Sequence, residues 1–312
     1  MPVAAIYAFV VWLLAGLLPN AWWGQLVLFV LTAYLLVELS NRNALLRVRS
    51  RMVTSTFLVL SCIPVAMIGS FCGGVTSLCF IITLNILFGI DHGFSSMRGA
   101  YYAFLSLGVA SLFFVQALFF VPLLWLLMAT QLQALNWRSW WASVLGIITP
   151  YWLYSPWLLY QNDWQTAMAH FAPLTHFVWP IDYSSLDVVQ VMDLCFIGLL
   201  MLIGVVHFRF NRIEEKIRIR QLYGFFTSVA FFVVGYLMVC PGLVNPLLRI
   251  LIVCASPLIA HLLTLSSSRL SNVLFFVVLG LSILLSMVNL YDMKTGRLIE
   301  LMIRLWSGSS LF

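Results

Sequence analysis

The stretch YYAFLSLGVASLFFVQALFFVPLLWLLMAT, Tyr101–Thr130, carries no charged residue. A helix crosses the hydrocarbon of a bilayer with about 20 apolar residues. This stretch is therefore long for one crossing and short for two. Whether it forms one helix or two sets the side of the membrane on which every later segment emerges, and so decides the architecture.

The cations settle the choice. They cluster in SNRNALLRVRSRM (40–52), FRFNRIEEKIRIR (208–220) and SSSRLS (266–271). Short loops rich in Lys and Arg stay on the cytoplasmic side. One helix over 101–130 would place the 208–220 cluster outside; two keep it inside. The sequence thus predicts a hairpin of short helices, roughly 100–114 and 116–131, breaking near Gln116. Irregular backbone at membrane depth persists only where protein buries it or water reaches it, so Ser111 and Gln116 are expected to face the interior.

Composition agrees with a bilayer as solvent. Of 312 residues 63% are hydrophobic and 8% charged, with a mean hydropathy of +1.04. A soluble domain carries roughly 25% charged residues. Further apolar runs lie at 4–18, 22–38, 52–70, 75–90, 140–158, 190–207, 222–240, 246–265 and 271–291. They are apolar all round, which excludes the alternation of a β-barrel. The expected fold is all-α: a polytopic transmembrane helical bundle of about 11 spans with interfacial helices, forming one integral membrane domain over 1–312. Its N-terminus is expected in the cytoplasm. The first run, Ala4–Leu18, lacks a basic leader and reads as a span rather than a signal peptide. The six cysteines form no CxxC pair and read as small hydrophobes. The net charge of +6 follows the loops, not a stripe, so nucleic acid is not an expected partner.

That topology leaves QNDWQTAMAHFAPLTHFVWPIDYSSLD (161–187) outside. It holds three of the six Asp and two of the five His, and no cation. Translocated loops are depleted of cations and tolerate Asp. The segment 160–189 is also the first place to look for chemistry. Asp163 and His170 share a face if the intervening residues are helical; His176 and Asp182 sit near Pro173 and Pro180. Asp163, Asp182 and His176 are catalytic candidates for proton transfer. His170, Trp164 and Trp179 are candidates for binding a sugar or phosphate, although an aromatic interface belt has the same composition. The histidine spacing of a zinc helix is missing, and no metal or other cofactor is expected.

Ionisable residues inside spans are the other candidates. Asp193 opens one span, His207 closes it, and His261 lies deep in LRILIVCASPLIAHLL (248–263). Arg249 stands near an outer span end, where a cation is disfavoured; it either snorkels or receives an anionic headgroup. Asn85 is suited to an interhelical hydrogen bond. Glu214 and Arg218 form an i,i+4 pair on a juxtamembrane helix. At the C-terminus, Leu298, Leu301, Met302 and Leu305 share one face of an expected amphipathic helix over 294–307.

GVASLFFVQALFFVPLLWLLM (108–128), followed by SVLGIITPYWLY (143–154), resembles an uncharacterised family of polytopic inner-membrane proteins of Bacteroidota-type bacteria, which shows a similar ASLFF hairpin and a following LGxxxPY span. The hairpin is also similar to the helical pair of polyprenyl-phosphate-sugar-dependent membrane glycosyltransferases. That class carries a catalytic acid in its first outer loop; the corresponding PNAWWGQ (19–25) has none. The resemblance implies handling of lipid-linked carbohydrate in envelope biogenesis, by a degenerate relative of those enzymes. Its partners would be membrane lipid, polyprenyl phosphate or a lipid-linked sugar. A non-catalytic membrane subunit with protein partners, and a small-molecule transporter, stand as alternatives.

Overall fold

The computed structural model describes residues 1–46, 50–90, 94–161, 164–174, 183, 186–211, 213, 215–265 and 269–295. Within them the chain is helical, without strands. The helices are α1 (Pro2–Ala15), α2 (Trp23–Asn43), α3 (Met52–Ser61), α4 (Phe71–Phe88), α5 (Phe94–Phe113), α6 (Phe120–Thr130), α7 (Trp137–Gln161), α8 (Trp164–Phe171), α9 (Val188–Asn211), α10 (Ile217–Val239), α11 (Val244–Leu265) and α12 (Arg269–Thr295).

Each of the eleven apolar segments coincides with a helix, but length and composition do not make all of them spans. Six helical stretches among the described residues are long and apolar enough to cross a membrane: Trp23–Asn43, Phe71–Phe88, Val188–Asn211, Ile217–Val239, Pro241–Thr264 and Phe275–Lys294. Pro2–Ala15, Met52–Ser61 and Val115–Thr130 are apolar but shorter.

The hairpin is present. α5 ends at Phe113, Phe114 turns out of helical geometry at φ −144°, ψ 88°, and a 3₁₀ turn over Val115–Phe119 leads into α6. The chain doubles back, since the rings of Phe104 and Trp125 lie 6.3 Å apart. The interior placement holds for Ser111, which is fully buried, while Gln116 is half-buried. The break forms inside protein because α7 covers it. Ser111 Oγ and Tyr151 OH are 2.7 Å apart, and Trp125 Nε1 donates to Ser143 Oγ at 2.8 Å.

α5 and α7 approach backbone to backbone. A Cβ on Gly146 would lie 2.5 Å from the carbonyl oxygen of Tyr101, and one on Gly108 would lie 3.0 Å from that of Ile147. Small residues permit such contact between helices that gain nothing from excluding water in lipid. α11 is the central element: 83% of its spanning residues are buried, against 28% for α2. It packs on α3, α4, α9 and α10. Gly204 of α9 meets the backbone of Leu258 there at 3.0 Å from its notional Cβ.

The connections sort to two ends. At one end Arg42 packs over Gly89, Arg218 Nη2 donates to the Phe88 carbonyl at 3.0 Å, and Tyr223 OH donates to the Leu45 carbonyl at 3.2 Å. At the other, Trp22 packs over Gly69, Tyr183 OH donates to the Met238 carbonyl, and Gln190 Nε2 reaches Asn245 Oδ1. Arg42, Arg51, Arg209, Lys216, Arg218 and Arg220 belong to the first end, called here the arginine-rich end.

Candidate functional site

Of the sequence candidates, Asp163, His176, Trp179 and Asp182 lie outside the described residues, as does Glu214 of the expected Glu214–Arg218 pair. The amphipathic helix over 294–307 lies almost wholly outside them as well. Trp164 opens α8, after Asp163. His170 packs beside Tyr151 and Phe171, with ring centroids 6.1 and 5.2 Å away. Its Nε2 is buried and has no hydrogen-bond partner among the described residues. It therefore sits against the helix that covers the hairpin tip.

Asp193 and Asn85 find interhelical partners. Asn289 Nδ2 of α12 donates to Asp193 Oδ1 at 2.9 Å, and both side chains are buried. Although Asp193 lies in the first turns of its helix, it is closed from water by this contact with α12. Asn85 Nδ2 of α4 donates to the Leu35 carbonyl of α2 at 3.2 Å, as expected. All six cysteines are unbridged.

Two polar sites emerge, one toward each end of the bundle. The first centres on Arg249 in α11. Gly73 and Gly74 of α4 leave the room its guanidinium occupies: a Cβ on Gly73 would lie 3.2 Å from Nε, and one on Gly74 3.5 Å from Nη1. Arg249 faces a hollow of about 40 Å³ that Thr32, Ser61 and Ser77 also line. By the same measure one water needs roughly 10–15 Å³. The hollow thus admits a small anionic group such as a carboxylate or phosphoryl. Nη2 of Arg249 is buried and has no hydrogen-bond partner among the described residues. Leaving a guanidinium donor unpaired away from water costs about 1–3 kcal/mol or more, so the site is chemically incomplete without an acceptor. The start of α4 adds the positive end of a helix dipole on the same side.

The second lies at the arginine-rich end and joins residues far apart in sequence. His261 of α11 is fully buried, and its Nε2 lies 3.6 Å from Glu215 Oε1, whose side chain is 3% exposed. Tyr223, Phe208 and His207 enclose the imidazole, with ring centroids 5.1, 5.2 and 5.5 Å away. His207 Nε2 in turn lies 3.1 Å from Asn211 Nδ2. Sequence reasoning weighed His261 and His207 singly and passed over Glu215 as one acid in a basic run. Arg218, in the same run, caps the carbonyl end of α4. Among the described residues no three His, Cys, Asp or Glu side chains gather as a metal set.

The fold and sites define a class: an all-helical bundle with several helices fit to cross a membrane and buried polar groups at both ends. Compared with protein-family models, curated proteins and solved structures, the chain matches none.

Proposed function

We propose that this protein is a multi-pass protein of a bacterial inner membrane that holds the phosphate of a lipid-linked carbohydrate or polyprenyl phosphate at Arg249. The observation that carries the reading is the unpaired, buried Nη2 of Arg249 facing a hollow the size of a small anionic group. Placing the arginine-rich end in the cytoplasm by the positive-inside rule puts Arg249 at the outer leaflet. The N-terminus is then cytoplasmic, and α1, α3, α5, α6 and α7 complete about eleven crossings. The paired motifs of the family resemblance support the reading too, since Ser111 of ASLFF bonds Tyr151 of LGxxxPY.

Native mass spectrometry of the detergent-purified protein tests it. A stoichiometric polyprenyl phosphate or lipid-linked sugar on the wild type, lost in Arg249→Gln, is the expected result. Bulk phospholipid alone, equal in both proteins, overturns it. A transporter is the second reading, favoured by the buried imidazole–carboxylate pair of His261 and Glu215, groups able to pass a proton. It predicts proton flux in proteoliposomes that Glu215→Gln abolishes.

A further inference from the structure

The arginine-rich end also holds a cavity that shares Phe208 with the surroundings of His261 and no residue with the Arg249 hollow. It measures about 560 Å³ and opens between α9 and α10, where the end of α6 contributes Gln131. Arg209 and Arg220 line it, together with Gln131 and Ser228. No carboxylate lines it among the described residues. Phe208 borders the cavity and stacks on Tyr223, centroid to centroid at 4.5 Å. Nε of Arg220 is buried and has no hydrogen-bond partner among the described residues.

The walls differ from the floor. Val206 and Phe231 border the cavity and are 52% and 47% exposed on the outer surface of the bundle. They belong to helices fit to cross a membrane, so their exposed faces meet acyl chains once those helices are embedded. The cavity is therefore cationic and hydrogen-bonding at the helix ends, and apolar along the helix flanks. Its volume is that of a typical small-ligand site, about 300–1,000 Å³.

We infer that this cavity is a binding site for one anionic phospholipid, with its phosphate between Arg209 and Arg220 and its acyl chains along Val206 and Phe231. The charge calls for an anion, and the buried donor of Arg220 calls for an acceptor that reaches below the surface. Paired guanidinium groups suit a phosphate, which accepts two parallel hydrogen bonds. The apolar flank selects a lipid over a free phosphate ester. This site does not rest on the reading of Arg249, from which it differs in residues and in the end of the bundle.

The test uses delipidated full-length protein in detergent, titrated with phosphatidylglycerol, phosphatidylcholine or inorganic phosphate and read by native mass spectrometry. One phosphatidylglycerol is expected to be retained in preference to phosphatidylcholine. Arg220→Gln should weaken its retention about tenfold, the scale of one charge-assisted hydrogen bond. Arg249→Gln should leave it unchanged, which separates this site from the other. Val206→Trp fills the apolar flank from an exposed position while keeping both arginines, and should also lower retention without altering the circular dichroism. Equal retention of the two lipids, or wild-type retention in both Arg220→Gln and Val206→Trp, overturns the site. Inorganic phosphate displacing the lipid at comparable concentration overturns the lipid assignment.

Discussion

His261 Nε2 lies 3.6 Å from Glu215 Oε1, with both side chains buried at the arginine-rich end of the bundle. The contact ties the short link between α9 and α10 to the central helix α11. It fixes where α10 begins, and α10 carries Tyr223, whose hydroxyl reaches the carbonyls of both Leu45 and Pro257. One buried pair therefore helps hold the ends of α2, α10 and α11 together.

Removing either member leaves the other buried without that contact, at a cost of about 1–3 kcal/mol. We expect Glu215→Gln and His261→Leu each to lower the unfolding free energy by that order. The double variant should fall short of their sum by about 0.5–3 kcal/mol. Thermal unfolding in detergent, run as a double-mutant cycle, measures the shortfall. Additivity within about 0.5 kcal/mol would mean that the two groups act independently.

The pair also shows where sequence reading stops. The break near Gln116 was legible because, under the positive-inside rule, two helices rather than one keep the 208–220 cations on the side of those at 40–52, an argument that needs no knowledge of packing. The partner of Asn85 was legible in kind, since a lone amide in an apolar run must find an acceptor. The partnership of Glu215 with His261 was not, because no local pattern links a juxtamembrane acid to a histidine on a later helix. Nor was the Arg220 cavity, which residues of α9, α10 and the end of α6 line together. Arg249 was singled out for its position, but its glycine cradle at Gly73 and Gly74 looked like any small pair near a helix start.

The glycines make a sharper prediction about the hairpin. A Cβ on Gly146 would meet the Tyr101 carbonyl at 2.5 Å, a backbone atom that cannot swing aside. Nothing lies within 4 Å of the notional Cβ of Gly198 or Gly235. Gly146→Ala is expected to destabilise by about 1–3 kcal/mol through overpacking. Gly198→Ala and Gly235→Ala should be neutral or stabilising by up to about 1 kcal/mol, since Ala favours helix over Gly. Denaturant titration of the three variants tests the order; equal effects would remove the α5–α7 backbone contact as the hairpin's support.

Orientation follows from α10 and needs only two sites. Lys216 stands before its first turn and Cys240 just after its last, at opposite ends of the bundle. Thiols react with maleimide as thiolates and only from water. In a variant whose other five cysteines are replaced, Cys240 should be labelled by a membrane-impermeant maleimide added to intact spheroplasts. A Lys216→Cys variant that also lacks Cys240 should react only after permeabilisation. The converse pattern would place the arginine-rich end outside, reverse the N-terminus with it and move Arg249 to the inner leaflet, where an outer headgroup site is impossible. Labelling of both positions from one side would mean that α10 does not cross. The parity argument that divides Tyr101–Thr130 into two helices would then lose its premise, although the break at Phe114 would stand on geometry alone.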